Sequence, residues 1–491
     1  MTEPGRTPRI AIVGAGWGGI AAAVKLKAAG IESFTIFDRN DGPGGVWLEN
    51  RFPGLMVDVP SRIYSFSFKQ VWDWRRTHAT REDILEYTEA VWREHGLQEH
   101  FRGGLAVTRV VWDDERHCHA VQTADGASEE FDVVISAVGL FNTPRYPAWP
   151  GLEDFEGVCF HASRWEDGHD LRDKRIAYVG TGATAIQVVP QLAPEAERVY
   201  VFQRDPAWAI PRGDHDLSPE TRARLMAQPW RQRWDRVKMY WQFERVIWGM
   251  RRIRNRKTAV QLRAERHLEA TLGDRPDLRA AVTPAHPFGH KRPLFENGFY
   301  ETLRRDDVEL VPRAVERVTP TGVVDTDGDE YEVDVLIMGT GFRVSEFLST
   351  MEVVGRGGRT LRDTWRGSPV AFVGCTVPGF PNFYILYGPN TNGGGSISVQ
   401  LEREAEYAVR AIRRMVRDGA TALEVRPGAY ELWNRYIDRR NSQMVYARAS
   451  NYYRSSTGKI VTEWPGTLTF YWLLTRSLGR IATRSSTRGD A

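Results

Sequence analysis

The stretch Arg9-Ile10-Ala11-Ile12-Val13-Gly14-Ala15-Gly16-Trp17-Gly18-Gly19 decides the fold of this chain. An apolar strand runs directly into closely spaced glycines, a helix-like segment follows from Ile20 to Ala29, and a second apolar strand ends at Asp38. Glycines at a strand end allow a tight turn and close approach to a pyrophosphate, and the helix N-terminus favours its charge. The pattern therefore predicts a βαβ dinucleotide-binding unit, with Gly14, Gly16 and Gly19 at the phosphates and Asp38 at a ribose.

A second fingerprint follows the apolar run Arg175–Val179 and is written Gly180-Thr181-Gly182-Ala183-Thr184-Ala185. The next predicted strand ends in Arg204 instead of an acid. Arginine suits a 2′-phosphate, which the carboxylate of Asp38 would repel. The first site is therefore predicted for FAD or NAD and the second for NADP. Asp205 follows immediately and would weaken the preference for a 2′-phosphate unless its side chain points away.

Two such units in 491 residues predict an α/β fold made of two Rossmann-like dinucleotide-binding domains. We expect the first part of the first domain at 1–145, the second domain at 146–374, and the return of the chain to the first domain, with a C-terminal segment, at 375–491. A charged, tryptophan-rich stretch at about 217–280 has helical period and predicts a helical insertion in the second domain.

The composition is ordinary for a globular protein, and a net charge of +3 is too small to indicate a nucleic-acid partner. Three cysteines, Cys118, Cys159 and Cys375, lie far apart without a Cys-x-x-Cys pair. They indicate a reducing, cytoplasmic setting and argue against a redox dithiol. No run approaches the roughly 20 apolar residues of a membrane helix, so no integral membrane association is expected. No metal site is predicted. The basic run Arg251–Lys257 predicts a solvated helix face, with an anionic partner or cofactor phosphate as the less favoured alternative.

The segment from Gly44 to Asp58 is rich in glycine and proline and cannot form a regular helix. Directly after the acid at the ribose, its glycines can let the backbone approach a bulky ring. Asp58 lies among apolar and proline residues, so it predicts a partly buried carboxylate that has a cationic partner. The cofactor contacts predicted from this part of the chain are Gly45, Val46, Trp47, Asp58, Tyr64 and, on the following strand, Val107.

Two spaced motifs identify a family resemblance. The first, Phe155-x-Gly157-x-x-x-His161-x-x-x-Trp165, joins the two fingerprints, and the second is Gly44-Gly45-x-Trp47-x-x-x-x-Phe52-Pro53-Gly54-x-x-x-Asp58. With the paired fingerprints they resemble the flavin-dependent Baeyer–Villiger monooxygenases of the single-component class. The resemblance continues through Lys291-Arg292 and Gly388–Asn390, and so covers nearly the whole chain. Trp165 favours this class over related oxygenases of nitrogen and sulfur, which tend to have Tyr or Phe there.

The resemblance implies FAD in the first domain and NADPH in the second. It also implies that one oxygen atom of O₂ is inserted next to the carbonyl of a small organic ketone, which gives an ester or lactone. Arg292 is predicted to be the catalytic cation and Asp58 its carboxylate partner, while Lys291 and Arg204 are predicted to hold the 2′-phosphate. His161 and Trp165 are predicted to couple the domains. A flavin-dependent N- or S-oxygenase and an uncoupled NADPH oxidase are the alternatives.

Three positions depart from the pattern of that family. Glu166 follows Trp165 where Pro or Asp is commoner, and Gly339 replaces the usual Ala of an Ala-Thr-Gly ending. Asp205 stands where a small hydroxyl residue often helps to hold the 2′-phosphate. None of the three bears on the oxygen-transfer chemistry, but Asp205 bears on the choice between NADPH and NADH.

Overall fold

A computed structural model describes residues 7–250, 258–393, 395–448 and 451–488 of the chain. The predicted basic run Arg251–Lys257 lies outside the described residues. The described ranges form a mixed α/β fold with two parallel five-stranded sheets, which confirms the predicted fold class. None of the helices in these ranges has the length and apolarity that crossing a bilayer needs.

The first unit begins with the strand, turn and helix of the first fingerprint. Its elements are β1 (Ile10–Val13), α1 (Trp17–Ala28), β2 (Phe34–Phe37), α2 (Val46–Glu49), α3 (Arg81–Glu94), β3 (Phe101–Arg102), β4 (Val107–Asp113), β5 (Cys118–Thr123), β6 (Ser128–Phe131) and β7 (Val133–Ser136). Helix α3 begins with a side-chain cap, because the Thr80 hydroxyl accepts the backbone N–H of Asp83.

The second unit contains the second fingerprint and the tryptophan-rich segment. Its elements are β8 (Val158–His161), β9 (Arg175–Val179), α4 (Ala185–Leu192), β10 (Arg198–Phe202), β11 (Ala209–Pro211), α5 (Pro219–Ala227), α6 (Pro229–Met250), α7 (Ala259–Leu272), α8 (Pro276–Val282), β12 (Leu294–Glu296), α9 (Phe299–Thr302), β13 (Val308–Val311), β14 (Val315–Thr319), β15 (Gly322–Asp325), β16 (Glu330–Glu332) and β17 (Val335–Met338). Helices α5 to α8 lie where the helical insertion was predicted.

The last part of the chain returns to the first unit. Its elements are β18 (Glu352–Val354), α10 (Leu361–Trp365), β19 (Phe383–Ile385), α11 (Ile397–Arg417), β20 (Ala422–Val425), α12 (Pro427–Asn441), α13 (Leu468–Leu478) and β21 (Thr483–Ser486). Short 3₁₀ helices lie at Leu97–His100, Leu152–Asp154, Ala162–Arg164, Arg356–Gly358 and Val445–Arg448. The predicted domain limits stay a prediction, but strand pairing favours a return before residue 375, since β18 already pairs with β4.

The two units repeat one plan. The first sheet has the order β19-β7-β1-β2-β3 and the second the order β8-β17-β9-β10-β13, each with parallel strands. In each unit an antiparallel meander, β4-β5-β6 or β14-β15-β16, precedes the strand that pairs next to the fingerprint strand. Ligands of such sheets bind beyond the carboxyl ends of the strands, where the strand order reverses. Both fingerprints begin at that edge of their own sheet.

The core of the first unit lies between its sheet and two helices. Ile12 on β1, Ile20 on α1 and Ile412 on α11 have no exposed surface, and Tyr384 on β19 has almost none. Strands of a parallel sheet covered on both faces are expected to be continuously apolar, and β1, β7 and β17 are buried along their whole length. Such packing holds the strand ends rigidly, and the site is built on those ends.

The chain passes between the two units at two places within the described ranges, and these two crossings are bonded to each other. The backbone N–H of Arg145 donates to the carbonyl of Gly341 over 2.8 Å, and the N–H of Arg343 donates to the carbonyl of Thr143 over 3.0 Å. The outgoing and returning segments therefore form a short two-stranded connection, which we call the paired crossing.

Candidate active site

A cavity of about 1040 Å³ opens between the first fingerprint, the glycine-rich segment and the segment before β12. The predicted site residues on its wall are Gly14, Gly16, Asp38, Gly45, Val46, Trp47, Asp58, Tyr64, Val107, Ala183, Lys291 and Arg292. Residues from both units thus line one shared cleft. Its volume is just above the range for small-molecule and cofactor sites, roughly 300–1,000 Å³.

The remaining predicted residues lie away from this wall. They are Gly19, His161, Trp165, Gly180, Thr181, Gly182, Thr184, Ala185 and Arg204. Gly19 is buried inside α1, while Gly182 and Arg204 are exposed at the carboxyl edge of the second sheet. Thr181 lines a separate small cleft together with Gln203. The second fingerprint therefore lies on the open side of its unit, and of its residues Ala183 reaches the shared cavity.

Asp38 connects the end of β2 to the first fingerprint. One of its carboxylate oxygens accepts the backbone N–H of Ala15 over 2.6 Å, and the other accepts the backbone N–H of Asn40 over 2.8 Å. Burial raises the pKa of Asp38. The carboxylate lies on the cavity wall beside the glycine turn, where it could accept hydrogen bonds from a ribose.

The shape of the glycine turns fits two dinucleotides. A Cβ on Gly14 would lie 2.6 Å from the carbonyl oxygen of Ala137, and one on Gly180 would lie 2.5 Å from that of Gly339. Both glycines have positive φ, +109° and +120°. A Cβ on Gly182 would meet no atom within 4 Å. At Gly14 and Gly180 the backbone of the neighbouring strand therefore leaves no room for a side chain. At Gly182 the second turn has free space, and a pyrophosphate could approach there.

The ion pair between Arg292 and Asp58 joins the two units across the cavity. Arg292 Nη2 contacts Asp58 Oδ2, and the side chains keep 39% and 30% of their surface exposed. Because both residues line the cavity, part of that exposed surface faces its interior. Asp58 raises the pKa of Arg292, so the guanidinium carries its charge at any relevant pH. The carboxylate of Asp58 thus has the cationic partner that its sequence environment predicts.

Tyr64 and Trp47 form a second polar contact on this wall. The indole N–H of Trp47 donates to the Tyr64 hydroxyl over 2.9 Å, and the rings meet edge to face at 5.7 Å. Burial raises the pKa of Tyr64. The contact places the glycine-rich segment against the following loop, and both residues present apolar surface to the cavity.

The C-terminal return supplies wall residues that sequence reasoning missed. Besides Tyr446, Tyr453 and Trp464, these include a hydrogen-bonded row in which the Tyr387 hydroxyl donates to Asn392 Oδ1 over 2.9 Å and Asn392 Nδ2 donates to Glu463 Oε1 over 2.5 Å. Burial raises the pKa of Glu463 to about 7. The aromatic-rich composition of the C-terminal region was a usable signal, but no local pattern indicates which of its side chains face the cavity.

Lys291 does not present a free ammonium group. Its Nζ contacts Oδ2 of Asp205, and the pair is partly exposed. The side chain of Asp205 therefore turns toward the lysine predicted to hold a 2′-phosphate. Arg204 is exposed and comes two residues after the end of β10. It lies next to the fingerprint, since the N–H of Gly180 donates to the carbonyl of Phe202 over 2.9 Å.

His161 lies buried beside the paired crossing. The backbone N–H of Ser163 donates to its Nδ1 over 3.1 Å, so the ring proton belongs on Nε2, which lies 3.1 Å from the carbonyl oxygen of Gly341. Burial lowers the pKa of His161 to about 4. Trp165 is partly buried at the edge of the core of the second unit, where it meets Phe160 edge to face at 5.2 Å. Both residues hold structure near the crossing and lie outside the cavity wall.

We expect the protein to lose stability as the pH falls from 6.5 toward 4. Burial lowers the pKa of His78, His119 and His161 to about 4 in the folded state, against 6.5 when they are exposed. Between those values the unfolded chain binds more protons at these three histidines, so their contribution to stability is complete above pH 6.5 and decreases below it, by up to about 3 kcal/mol per histidine. The buried carboxyls of Glu404 and Glu463, whose pKa burial raises to about 7, act in the opposite direction over the same range and offset part of this loss. Urea unfolding at a series of pH values measures this. His119→Gln should flatten the profile and the partly exposed His169→Gln should not; a profile that is level between pH 6.5 and 4 contradicts the prediction.

The fold and site define a class: two dinucleotide-binding units that share one cavity, with a fixed cation on its wall. The sequence pattern of the family described as pyridine nucleotide-disulphide oxidoreductase matches residues 11–276. A Baeyer-Villiger monooxygenase of Streptomyces coelicolor is 37% identical, over 94% of this chain and 89% of its own. One of Pseudomonas aeruginosa is 34% identical, over 98% and 92%. The chain belongs to the Baeyer–Villiger monooxygenase family, and it is an enzyme of that kind.

Solved structures agree with this assignment. An oxidized steroid monooxygenase bound to NADP superimposes with a TM-score of 0.85 at 28% identity, covering 98% of this chain and 100% of the other. A cyclohexanone monooxygenase from Rhodococcus sp. Phi1 bound to NADP⁺ superimposes with a TM-score of 0.86 at 28% identity, covering 98% and 99%. The likeness extends over both units and the C-terminal return.

Proposed function

We propose that this chain binds FAD and NADPH and inserts one oxygen atom of O₂ next to the carbonyl of a small organic ketone, which gives an ester or lactone. The observation that carries the proposal is the Arg292–Asp58 ion pair on the wall of the cavity that both units line. Membership of the Baeyer–Villiger family supports the reaction type.

The two glycine turns would hold the pyrophosphates. FAD would lie on the Gly14–Gly19 turn with a ribose at Asp38, and the segment Gly45–Trp47 with Tyr64 and Val107 would line its ring. NADPH would lie on the Gly180–Ala185 turn, with Arg204 and Lys291 at the 2′-phosphate. When bound, FAD reduced by NADPH would react with O₂, and this chemistry supplies the inserted oxygen atom.

Arg292 is proposed as the catalytic cation. Its guanidinium offers several N–H donors with a fixed charge, so it can stabilise negative charge that develops during oxygen transfer. Asp58 acts as the positioning carboxylate, because its ion pair fixes the orientation of the guanidinium. Aromatic side chains of the return, including Tyr387, Tyr446 and Tyr453, line the same cavity. Their apolar ring surface would lower the local dielectric constant and so strengthen this electrostatic interaction.

The reaction is tested by incubating the purified protein with NADPH, O₂ and panels of ketones and sulfides, followed by mass analysis of the products. Gain of one oxygen atom by ketones supports the proposal. Oxidation of sulfides or amines alone would support the N- or S-oxygenase alternative instead. Consumption of NADPH with hydrogen peroxide and no oxygenated product would support the uncoupled oxidase.

A cytoplasmic location is a further part of the proposal. Cys118, Cys159 and Cys375 are free thiols in the structure. Cys159 is exposed, and a reducing compartment would keep an exposed thiol from pairing with another molecule.

Replacing Asp205 by Asn should improve the use of NADPH. In the native pair the carboxylate neutralises Lys291 and would repel a 2′-phosphate. Its removal frees a cation for the phosphate, so we expect KM for NADPH to fall about threefold to tenfold. KM for NADH, which lacks that phosphate, should stay unchanged. Steady-state kinetics with both cofactors measure the effect, and Asp170→Asn, which breaks an exposed pair with Arg172, is the matched control. An equal change for both cofactors would exclude this role of Asp205.

Replacing His161 by Ala should uncouple the oxidation of NADPH from the oxygenation of the ketone. His161 bonds to the same Gly341 carbonyl oxygen that accepts the N–H of Arg145 in the paired crossing. Without the ring this connection loosens, so NADPH oxidation should continue while the fraction of NADPH that yields product falls about threefold or more. The measurement is product formed per NADPH consumed. His169→Ala, a partly exposed histidine of the same unit, serves as control. An unchanged ratio in His161→Ala would refute the coupling role.

A further inference from the structure

The outer face of α6 carries a row of large apolar side chains. Trp230, Trp234, Val237, Trp241 and Trp248 are each between 42% and 60% exposed. At about 100° per residue, all five fall within an arc of about 60° on the helix surface. We call this row the tryptophan stripe. Exposed tryptophans are normally scattered singly, and an aligned row marks an interaction surface.

Cationic side chains flank the stripe, and both acids of the helix are bound by other parts of the chain. Arg233 and Arg245 are exposed on either side of it. The carboxylate of Asp235 is bound by Arg62 over 2.6 Å. The carboxylate of Glu244 is buried at the start of α13, where it accepts the N–H of Leu468 over 2.7 Å. The outward surface of α6 is therefore apolar along its centre and positive at its edges.

The opposite side of the same helix lines the cavity. Phe243 and Ile247 are on the cavity wall, and Val246 is on that wall while half of its surface is exposed. Helix α6 is thus a single layer between the proposed ketone site and the surface that carries the stripe.

We propose that the tryptophan stripe docks the enzyme on the surface of an anionic lipid bilayer. Indole rings favour the boundary between acyl chains and headgroups, and flanking arginines meet the lipid phosphates. A second copy of the chain fits this surface less well, because pairing two stripes would bring Arg233 and Arg245 toward like charges. Docking would place the wall of the cavity beside the phase in which apolar ketones dissolve.

The test is co-sedimentation of the FAD-loaded enzyme with sucrose-loaded vesicles of phosphatidylcholine, alone or with about 30% phosphatidylglycerol, at low salt. The wild type should bind the anionic vesicles and release them as salt is raised. The double variant Trp234→Ser, Trp241→Ser should lose about tenfold or more in partitioning to them. The variant Arg233→Gln, Arg245→Gln should lose about tenfold on the anionic vesicles and should equal the wild type on phosphatidylcholine.

A matched control is Leu432→Ser with Arg435→Gln, which removes one exposed apolar and one exposed basic side chain from α12. It should bind as the wild type does, and all variants should keep their FAD and their activity on a water-soluble ketone. Failure of the wild type to bind anionic vesicles overturns the proposal, as does unchanged binding by the tryptophan variant. If gel filtration shows that the wild type is a dimer and the tryptophan variant a monomer, the stripe binds a second copy of the chain. That result would also overturn the proposal.

Discussion

Replacing Arg292 by Ala should lower ketone oxygenation by roughly 10²–10³-fold while reduction of the bound flavin by NADPH largely survives. The guanidinium is the group on the cavity wall whose charge Asp58 holds in place. Oxygen transfer needs that charge where negative charge develops, whereas hydride transfer to the flavin does not. The two half-reactions should therefore separate in this variant.

Stopped-flow absorbance under anaerobic conditions measures flavin reduction, and mass analysis of the ester measures oxygenation. Arg292→Lys keeps a positive charge but loses the fork of donors, so it should retain more product than Arg292→Ala. The control Arg417→Ala removes an exposed arginine at the end of α11 that is paired with Asp418 over 2.8 Å. It should change neither step. Normal product yield from Arg292→Ala would remove Arg292 from the catalytic role.

Replacing Gly180 by Ala should destabilise the second unit by about 3 kcal/mol or more, since the residue has φ near +120° and its Cβ would lie 2.5 Å from the Gly339 carbonyl oxygen. Relief requires β9 and β17 to separate at their ends, and these strands are fully paired. Urea unfolding and the yield of folded protein measure the loss.

Gly182→Ala is the matched comparison in the same turn, because its Cβ meets no atom within 4 Å. It should fold normally, but the added methyl group would occupy space that the proposed pyrophosphate needs, so KM for NADPH should rise about tenfold or more. Comparing the two variants separates a structural role of Gly180 from a ligand-binding role of Gly182. Equal stability of the two variants would contradict the closed turn at Gly180, and an unchanged KM in Gly182→Ala would contradict the open one.

The features that could be predicted are those whose cause is local in the chain. Each fingerprint joins a strand, a turn and a helix within about two dozen residues, so sequence alone indicates both units and their repeated plan. Asp58 among apolar neighbours indicates a cationic partner because an unpaired buried carboxylate is costly. Arg292 could be named as that partner on the family resemblance.

The rest depends on contacts between distant residues. The direction of the Asp205 side chain is decided by Lys291, 86 positions away, and Glu463 enters the site through Asn392, 71 positions away. The hydrophobic periodicity of a sequence does not indicate such contacts. The tryptophan stripe is an intermediate case, because its spacing is visible in the sequence, while the cavity behind it depends on how α6 packs.

The paired crossing limits how the two units can move. A single covalent linker would let one unit turn about several axes, but here two antiparallel segments bond through Arg145, Gly341, Thr143 and Arg343. Sliding one segment along the other would break both hydrogen bonds, whereas bending across the pair keeps them. We therefore expect the connection to act as a hinge with one easy axis, and His161 is bonded to its Gly341 carbonyl. A rearrangement between flavin reduction and oxygenation would then be a reproducible swing that returns the second fingerprint to the same place beside the proposed flavin site in every cycle.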